Sequence, residues 1–320
     1  EMLSEKGLIT RTPGRGSFVK AAARAEEEKP ADISGLPAGG PRSVLGVVLD
    51  GFGCDFGTVL LKSIEQECRK KHYTMMLHCT YGSLEEEIKA IRNAVDLGAA
   101  GLLVICAQNE SYNTTIIQLA LKQYPIVLLD RQMNGISIPC IKTDNYQAAK
   151  ELTRHLVERG HRKSCFVSHA FTGTPTIRER YDGFVDGIMG NDTVTGKIAK
   201  VPRYNPTPVN ESVQEEDAIR QEIRRIILEQ EECTAFFSVE YKLGILLDRE
   251  LKAMGIDKEV VAFDGLDDSF GDCAFTHVRQ NEWEMGRKAV DVLCDLIEGE
   301  NAKGTIYVPF EIVKPERTCG

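Results

Sequence analysis

The residues most able to do chemistry stand at the ends of short apolar runs. Leu129-Asp130-Arg131-Gln132 closes one run, Ser238-Val239-Glu240-Tyr241 a second and Val261-Ala262-Phe263-Asp264-Gly265 a third; Gln280 follows the short run Phe275–Val278, and Ile177-Arg178-Glu179-Arg180-Tyr181-Asp182-Gly183-Phe184 opens a helical stretch. Acids, arginines and amides with aromatics nearby suit a neutral polyhydroxylated ligand. Each hydroxyl both donates and accepts, carboxylates accept, and guanidinium and amide groups donate, with charge-assisted bonds about twice as strong as neutral ones. Aromatic faces such as Phe56 or Tyr204 can cover the apolar C–H face of a sugar ring.

Taken singly, these residues have plainer readings. Asp130-Arg131 also fits an exposed ion pair closing a strand, and Phe56 also fits a core position. Arg178 and Arg180 at a helix start run against the helix dipole, which favours a task for Arg180 over solvation. His161 in Gly160-His161-Arg162 reads as a charge at a helix C-terminus, and Met75-Met76 as strand filler. Gly51-Phe52-Gly53 with Gly57 invites a dinucleotide-binding reading and fails it: Asp50 points a negative charge at the phosphates, the spacing is GxGxxxG, and the next strand ends in Cys79-Thr80 with no acid for a ribose. The chain has no GxxxxGK[ST], GxSxG, HExxH, HxxxH or CxxC. An enzyme is therefore unsupported, and no metal or cofactor is expected.

The elements that must position these groups alternate. Apolar runs at Val44–Asp50, Thr74–Cys79, Gly101–Cys106, Ile126–Asp130 and Pro139–Thr143 are separated by helix-period stretches. A second set, Ser164–Ser168, Lys197–Val201, Thr234–Val239 and Val260–Asp264, is interleaved with Ile177–Met189, Glu215–Glu229, Lys242–Met254 and Trp283–Ile297. This pattern predicts an α/β fold of two doubly wound parallel-sheet lobes, with ligands outside the carboxyl ends of the strands in the cleft between them. The chain has 320 residues, 42% of them hydrophobic and 27% charged, ordinary globular values with room for about two domains. Its apolar runs fall short of the roughly 20 residues a membrane helix needs, so no membrane partner is expected. A net charge of −9 argues against a surface that embraces nucleic acid throughout. Ten scattered cysteines, mostly inside apolar runs, fit a reducing cytoplasm better than a disulfide framework.

The first 20 residues differ. Lys6, Arg11, Arg15 and Lys20 against Glu1 and Glu5 give a local +2. Two short apolar runs flank Pro13-Gly14-Arg15-Gly16, which predicts a small hairpin. Residues 21–42, rich in Ala, Glu, Pro and Gly, read as a linker.

Residues 43–319 resemble the effector-binding domain of LacI-type repressors and the periplasmic sugar-binding proteins, a periplasmic-binding-protein-like type I fold with a hinge. Residues 1–20 resemble the end of a GntR-family winged helix-turn-helix, with the recognition-helix tail at Glu1–Lys6 and the wing at Gly7–Val19. The resemblance implies that most of the DNA-binding domain is missing, and that residues 43–320 form one sensor domain. Its first lobe is expected at about 43–143 and 266–300, and its second at about 144–265 and 301–320. It further implies a ring-stacking Phe56, ring hydroxyls bound by Asp130 and Arg131, an arginine, Arg180, reaching in from the second lobe, Asp264 and Gln280 completing the cage, and Tyr204 near a second aromatic platform. Asp144-Asn145 matches the hinge. Glu240-Tyr241 stands where the family usually has Asn-Asp, and Cys54 and Gly57 stand where the ribose binder has an amide and a second aromatic, so the identity of the sugar is left open. Arg11 and Arg15 are the expected DNA contacts in the intact protein, although Arg15 also fits a solvated turn.

A GntR reader joined to a LacI-type sensor resembles the arabinose repressors of Gram-positive bacteria. The resemblance implies a cytoplasmic, homodimeric repressor that binds a monosaccharide, such as arabinose or ribose, and controls operator DNA allosterically. An alternative is the solute-binding protein of a sugar transport system, which predicts a monomer.

Overall fold

The computed structural model describes residues 9–12, 16–19, 44–53, 56–107, 113–133, 135–169, 174–189, 193–202, 213–265 and 275–315. The chain divides into two compact units, 1–42 and 43–320. In the first, β1 (Ile9–Thr12) and β2 (Gly16–Val19) pair antiparallel, Ile9 opposite Val19 and Thr12 opposite Gly16. This is the hairpin that the turn residues predict. Arg15 lies outside the described residues, as does the 21–42 segment.

The second unit is built on two six-stranded sheets. Strands β3 (Val44–Leu49), β4 (Thr74–Cys79), β5 (Ala99–Val104), β6 (Ile126–Leu129) and β7 (Cys140–Thr143) enter the first sheet. Strands β8 (Lys163–His169), β9 (Thr195–Val201), β10 (Ala235–Ser238), β11 (Glu259–Phe263) and β12 (Thr276–Gln280) enter the second. Two late strands, β13 (Thr305–Val308) and β14 (Phe310–Val313), are shared out: the orders are β13-β7-β6-β5-β3-β4 and β14-β12-β11-β10-β8-β9. All pairings are parallel except β14 on β12. The central strands are almost wholly apolar, as in Ile126–Leu129 and Ala235–Ser238, because helices cover both faces and no side of the strand meets water.

The helices are α1 (Thr58–Lys70), α2 (Leu84–Asp96), α3 (Thr114–Leu121), α4 (Asn145–Glu158), α5 (Pro175–Ile188), α6 (Val213–Glu229), α7 (Tyr241–Ala253) and α8 (Glu282–Ile297). Their starts are written in the sequence: Ser83, Asn113, Asp144 and Asn281 each accept a backbone N–H of the first turn. In the second lobe α4 and α5 pack so closely that a Cβ on Gly183 would lie 2.2 Å from the carbonyl oxygen of Tyr146.

The lobe boundaries differ from the expected ones. Strand β12, assigned by sequence to the first lobe, continues the second sheet beside β11, with Val261 opposite Thr276. Strand β13, assigned to the second lobe, pairs with β7 of the first, Thr305 opposite Cys140. The chain therefore crosses between lobes at Thr143–Asn145, at Gln280–Glu282 and at Val308–Phe310. The last crossing is hard to read because β13 and β14 are separated by Pro309 alone and look like one run.

Candidate functional site

Both sheets follow the same winding, and the side chains at their carboxyl ends are held in matching ways. Asp130 follows β6 and Asp264 follows β11, and both adopt positive φ, 58° and 63°. Aspartate tolerates this left-handed turn better than most residues. Each then donates its backbone N–H to the neighbouring strand, Asp130 to Ile141 O and Asp264 to Val278 O, both at 2.9 Å. The turn throws each carboxylate off the end of its sheet.

In the first lobe Arg131 is pinned by its Nη1 to Asp50 Oδ2 at 2.8 Å and to Cys106 O at 2.7 Å. Its Nε lies 3.8 Å from Asp130 Oδ2, beyond hydrogen-bond reach. Arg131 and Asp130 are only 14% and 9% exposed, so the reading as an exposed surface pair does not hold. Asp130 Oδ1 and Arg131 Nε are buried without a hydrogen-bond partner. Beneath them Glu87 of α2, fully buried, accepts from Asn113 Nδ2 at 2.7 Å and from Ala107 N, which ties down the loop after β5. Burial pushes the Glu87 carboxyl up, against those two hydrogen bonds and the Arg131 charge.

In the second lobe Arg180 of α5 is buried against the Phe263 ring, its guanidinium carbon 3.9 Å from the centroid. Its Nε donates to Asn145 Oδ1 and its Nη1 to Val239 O, both at 2.8 Å, and Asp264 Oδ2 lies 3.8 Å from Nη1. Gln280 Nε2 donates to Asp264 Oδ1 at 2.7 Å, leaving the buried Oε1 without a partner. Arg180, Asp264 and Gln280 thus form one cluster. Two of its members touch the hinge, since Asn145 starts the helix after the first crossing and Gln280 ends the strand before the second.

Glu240 precedes α7 and faces His169, the last residue of β8, whose Nε2 lies 2.8 Å from Oε1; His169 Nδ1 faces Pro202 O at 3.3 Å. Burial pushes the Glu240 carboxyl up, but the His169 hydrogen bond, helped by the charges of His169, Lys242 and Arg180, outweighs it and holds the group below the usual carboxylate range.

A cavity of about 430 Å³ spans the lobes beside the hinge, lined by Gly53 and Thr58 on one side and Asp264 and Gln280 on the other, with Trp283 and Phe310 at its edge. Asp264 and Gln280 are the expected site residues that line it. Phe56, expected as a stacking platform, packs partly buried against the first-lobe core, while Phe52 in the same loop is half exposed. Tyr204 lies outside the described residues, and of Arg11 only the backbone, in β1, is described. Asp50 and His169 are positioning partners absent from the expected site, and Asn145, expected at the hinge, is a third. Asp50 and His169 carried a signal, since each ends an apolar run at the point where strand order reverses.

Lys142 of β7, completely buried, reaches Glu179 of α5 at 2.6 and 2.7 Å, an ion pair across the lobes next to Arg180. Among the described residues no three His, Cys, Asp or Glu side chains gather as for a metal, and no helix is long and apolar enough to cross a membrane.

Two family patterns match the chain: periplasmic binding proteins and sugar binding domain of the LacI family over residues 43–201, and periplasmic binding protein-like domain over residues 153–314. The chain is 24% identical to the arabinose metabolism transcriptional repressor of Geobacillus stearothermophilus, over 98% of this chain and 84% of that protein. Its fold resembles a ribose operon repressor of Burkholderia thailandensis at TM-score 0.71 and 22% identity, over 85% of this chain and 99% of that one. It also resembles a LacI family regulator of Enterococcus faecium with bound ribose, at TM-score 0.65 and 18% identity, over 85% and 97%. Both matches lie at residue 43 and beyond; a GntR-type reader, or one cut short, gains no support from them.

Proposed function

We propose that this chain, which belongs to the periplasmic-binding-protein-like family shared with the sugar binding domains of the LacI family, is the monosaccharide sensor of a transcriptional repressor. The observation that carries the reading is the set of buried, partnerless polar atoms at the strand ends of both lobes, Asp130 Oδ1 and Arg131 Nε in the first and Gln280 Oε1 in the second. A buried polar atom without a partner costs about 1–3 kcal/mol, and a hydroxylated ring that both donates and accepts relieves that cost. Asp130, Arg131, Arg180, Glu240, Asp264 and Gln280 bind the ring hydroxyls, with Tyr204 as its aromatic wall. A pentose such as arabinose or ribose is the favoured ligand, in keeping with the arabinose repressor and the ribose-bound regulator among its relatives.

Binding then acts through the hinge. Arg180 is bonded to Asn145 and Gln280 to Asp264, so a ligand that draws these groups toward Asp130 and Arg131 also sets the angle of the first two crossings. The shift in DNA affinity can be no larger than the difference in ligand affinity between the open and closed lobes. The protein works in the cytoplasm as a homodimer on operator DNA, with Arg11 and Arg15 of the hairpin near phosphate. A thermal-shift panel of arabinose, ribose, xylose, galactose and glucose tests the reading. A ligand at about 100 times its Kd stabilises the bound state by about 2.7 kcal/mol, so one sugar should raise the melting temperature by several degrees. No shift from any of them refutes it.

A further inference from the structure

Two features of the cleft bear on the charge of its ligand. Gly51, Gly53 and Gly57 stand between β3 and the start of α1, a glycine-rich passage from strand to helix of the kind where a phosphate finds backbone N–H groups and a favourable dipole. Here two of those N–H groups are taken. Glu282, the first residue of α8, places Oε2 2.8 Å from Gly57 N and 3.0 Å from Leu60 N, so the protein's own carboxylate occupies the anion position. Both Glu282 and Thr58 line the cavity beside the hinge.

The second feature is the balance of charge. Among the described residues, the strand ends carry the carboxylates of Asp50, Asp130, Glu240 and Asp264. Of the guanidiniums there, Arg131 is engaged with Asp50 and Cys106, Arg180 with Asn145, Val239 and Asp264, and Arg279, which lines the cavity, lies 3.8 Å from Glu311, itself on the cavity. Glu240 stands at the N-terminus of α7, where a second anion position would be, and is held by His169. The buried acceptors Asp130 Oδ1 and Gln280 Oε1 have no partner, and neither has the buried donor Arg131 Nε, so the site calls for hydroxyl groups, which both donate and accept. A phosphate oxygen offers none at neutral pH.

Resting on the sugar-sensor reading, we infer that the effector is an unphosphorylated sugar and that the cleft excludes sugar phosphates, with Glu282 standing at the N-terminus of α1 and Glu240 at that of α7. The exclusion is a property of these side chains and not of the fold.

Titration calorimetry of the full chain with arabinose, ribose, xylose, galactose and glucose, each beside its monophosphate, tests this. The inference predicts one neutral sugar that binds at least 100-fold more tightly than its phosphate ester, with the gap narrowing to about tenfold in Glu240→Gln. A phosphate ester that binds as tightly as its parent overturns the inference and leaves the sensor reading standing. No heat from any sugar or ester overturns the sensor reading and the inference with it. A gap unchanged in both Glu240→Gln and Glu240→Ser, against a bound neutral sugar, removes Glu240 from the exclusion.

Discussion

Replacing Arg180 by Ala should unfold the second lobe more easily and weaken the ligand together, and the geometry gives the sizes. The guanidinium makes two bonds at 2.8 Å to acceptors on residues that are essentially fully buried, Asn145 and Val239. Losing a donor leaves each acceptor uncompensated at about 1–3 kcal/mol, and the lost stacking on Phe263 adds about 1 kcal/mol, while water entering the space recovers some. The net is about 3–4 kcal/mol. For a domain of this size that lowers the melting temperature by about 10 °C. Arg178, two residues earlier, is the control: its side chain is 69% exposed and, among the described residues, its ion pair is with Asp182 at 3.0 Å. Arg178→Ala should cost less than about 0.5 kcal/mol. Arg180→Lys should fall between, because an ammonium has no planar fork to satisfy two acceptors at once. Urea unfolding followed by circular dichroism measures the series, and sugar titration should show about 2 kcal/mol, roughly 30-fold, weaker binding for Arg180→Ala. Equal stability of Arg178→Ala and Arg180→Ala would refute the account of Arg180 as a buried brace; unchanged affinity would take it out of the site.

Gly183→Ala puts a methyl carbon 2.2 Å from Tyr146 O, which is backbone and cannot swing aside, so α4 and α5 must separate at about 2–4 kcal/mol, readable by urea unfolding. Glu179→Gln leaves the completely buried Lys142 ammonium without its counter-charge and should cost about 3 kcal/mol; an effect below about 0.5 kcal/mol would mean that the pair does not hold the lobes. Burial holds the His277 imidazole below its ordinary 6.5, and its Nε2 has no partner. In the window below pH 6.5 the unfolded chain therefore takes up a proton that the folded one refuses, and stability should fall as pH drops through it, by at most about 1.4 kcal/mol per pH unit from this group. His155, also lowered by burial, acts in the same direction, so the slope should flatten in His277→Gln without vanishing.

The alternation of apolar runs with helical stretches made the two-lobe α/β fold legible, because a parallel sheet covered on both faces must be written in runs such as Ile126–Leu129 and Ala235–Ser238. The crossings were less legible. Gln280 and Glu282 are two residues apart and belong to different lobes, and nothing local in Thr305–Val313 marks the passage at Pro309. Asp130, Arg131, Arg180, Asp264 and Gln280 could be named because acids, amides and arginines at strand ends stand out by position. Their partners could not: Asp50 meets Arg131 across 81 residues and Glu282 meets Gly57 across 225, and such pairings are set by sheet order. Phe56 shows the limit from the other side, an aromatic in the right loop whose ring serves the core.

The most direct test is a crystal structure of the chain grown with whichever sugar raises its melting temperature. The account predicts the ring between the lobes, with hydroxyls on Asp130 Oδ1 and Gln280 Oε1, the buried acceptors that lack partners here. A sugar bound elsewhere, or one between the lobes that leaves both atoms without a partner, would contradict it.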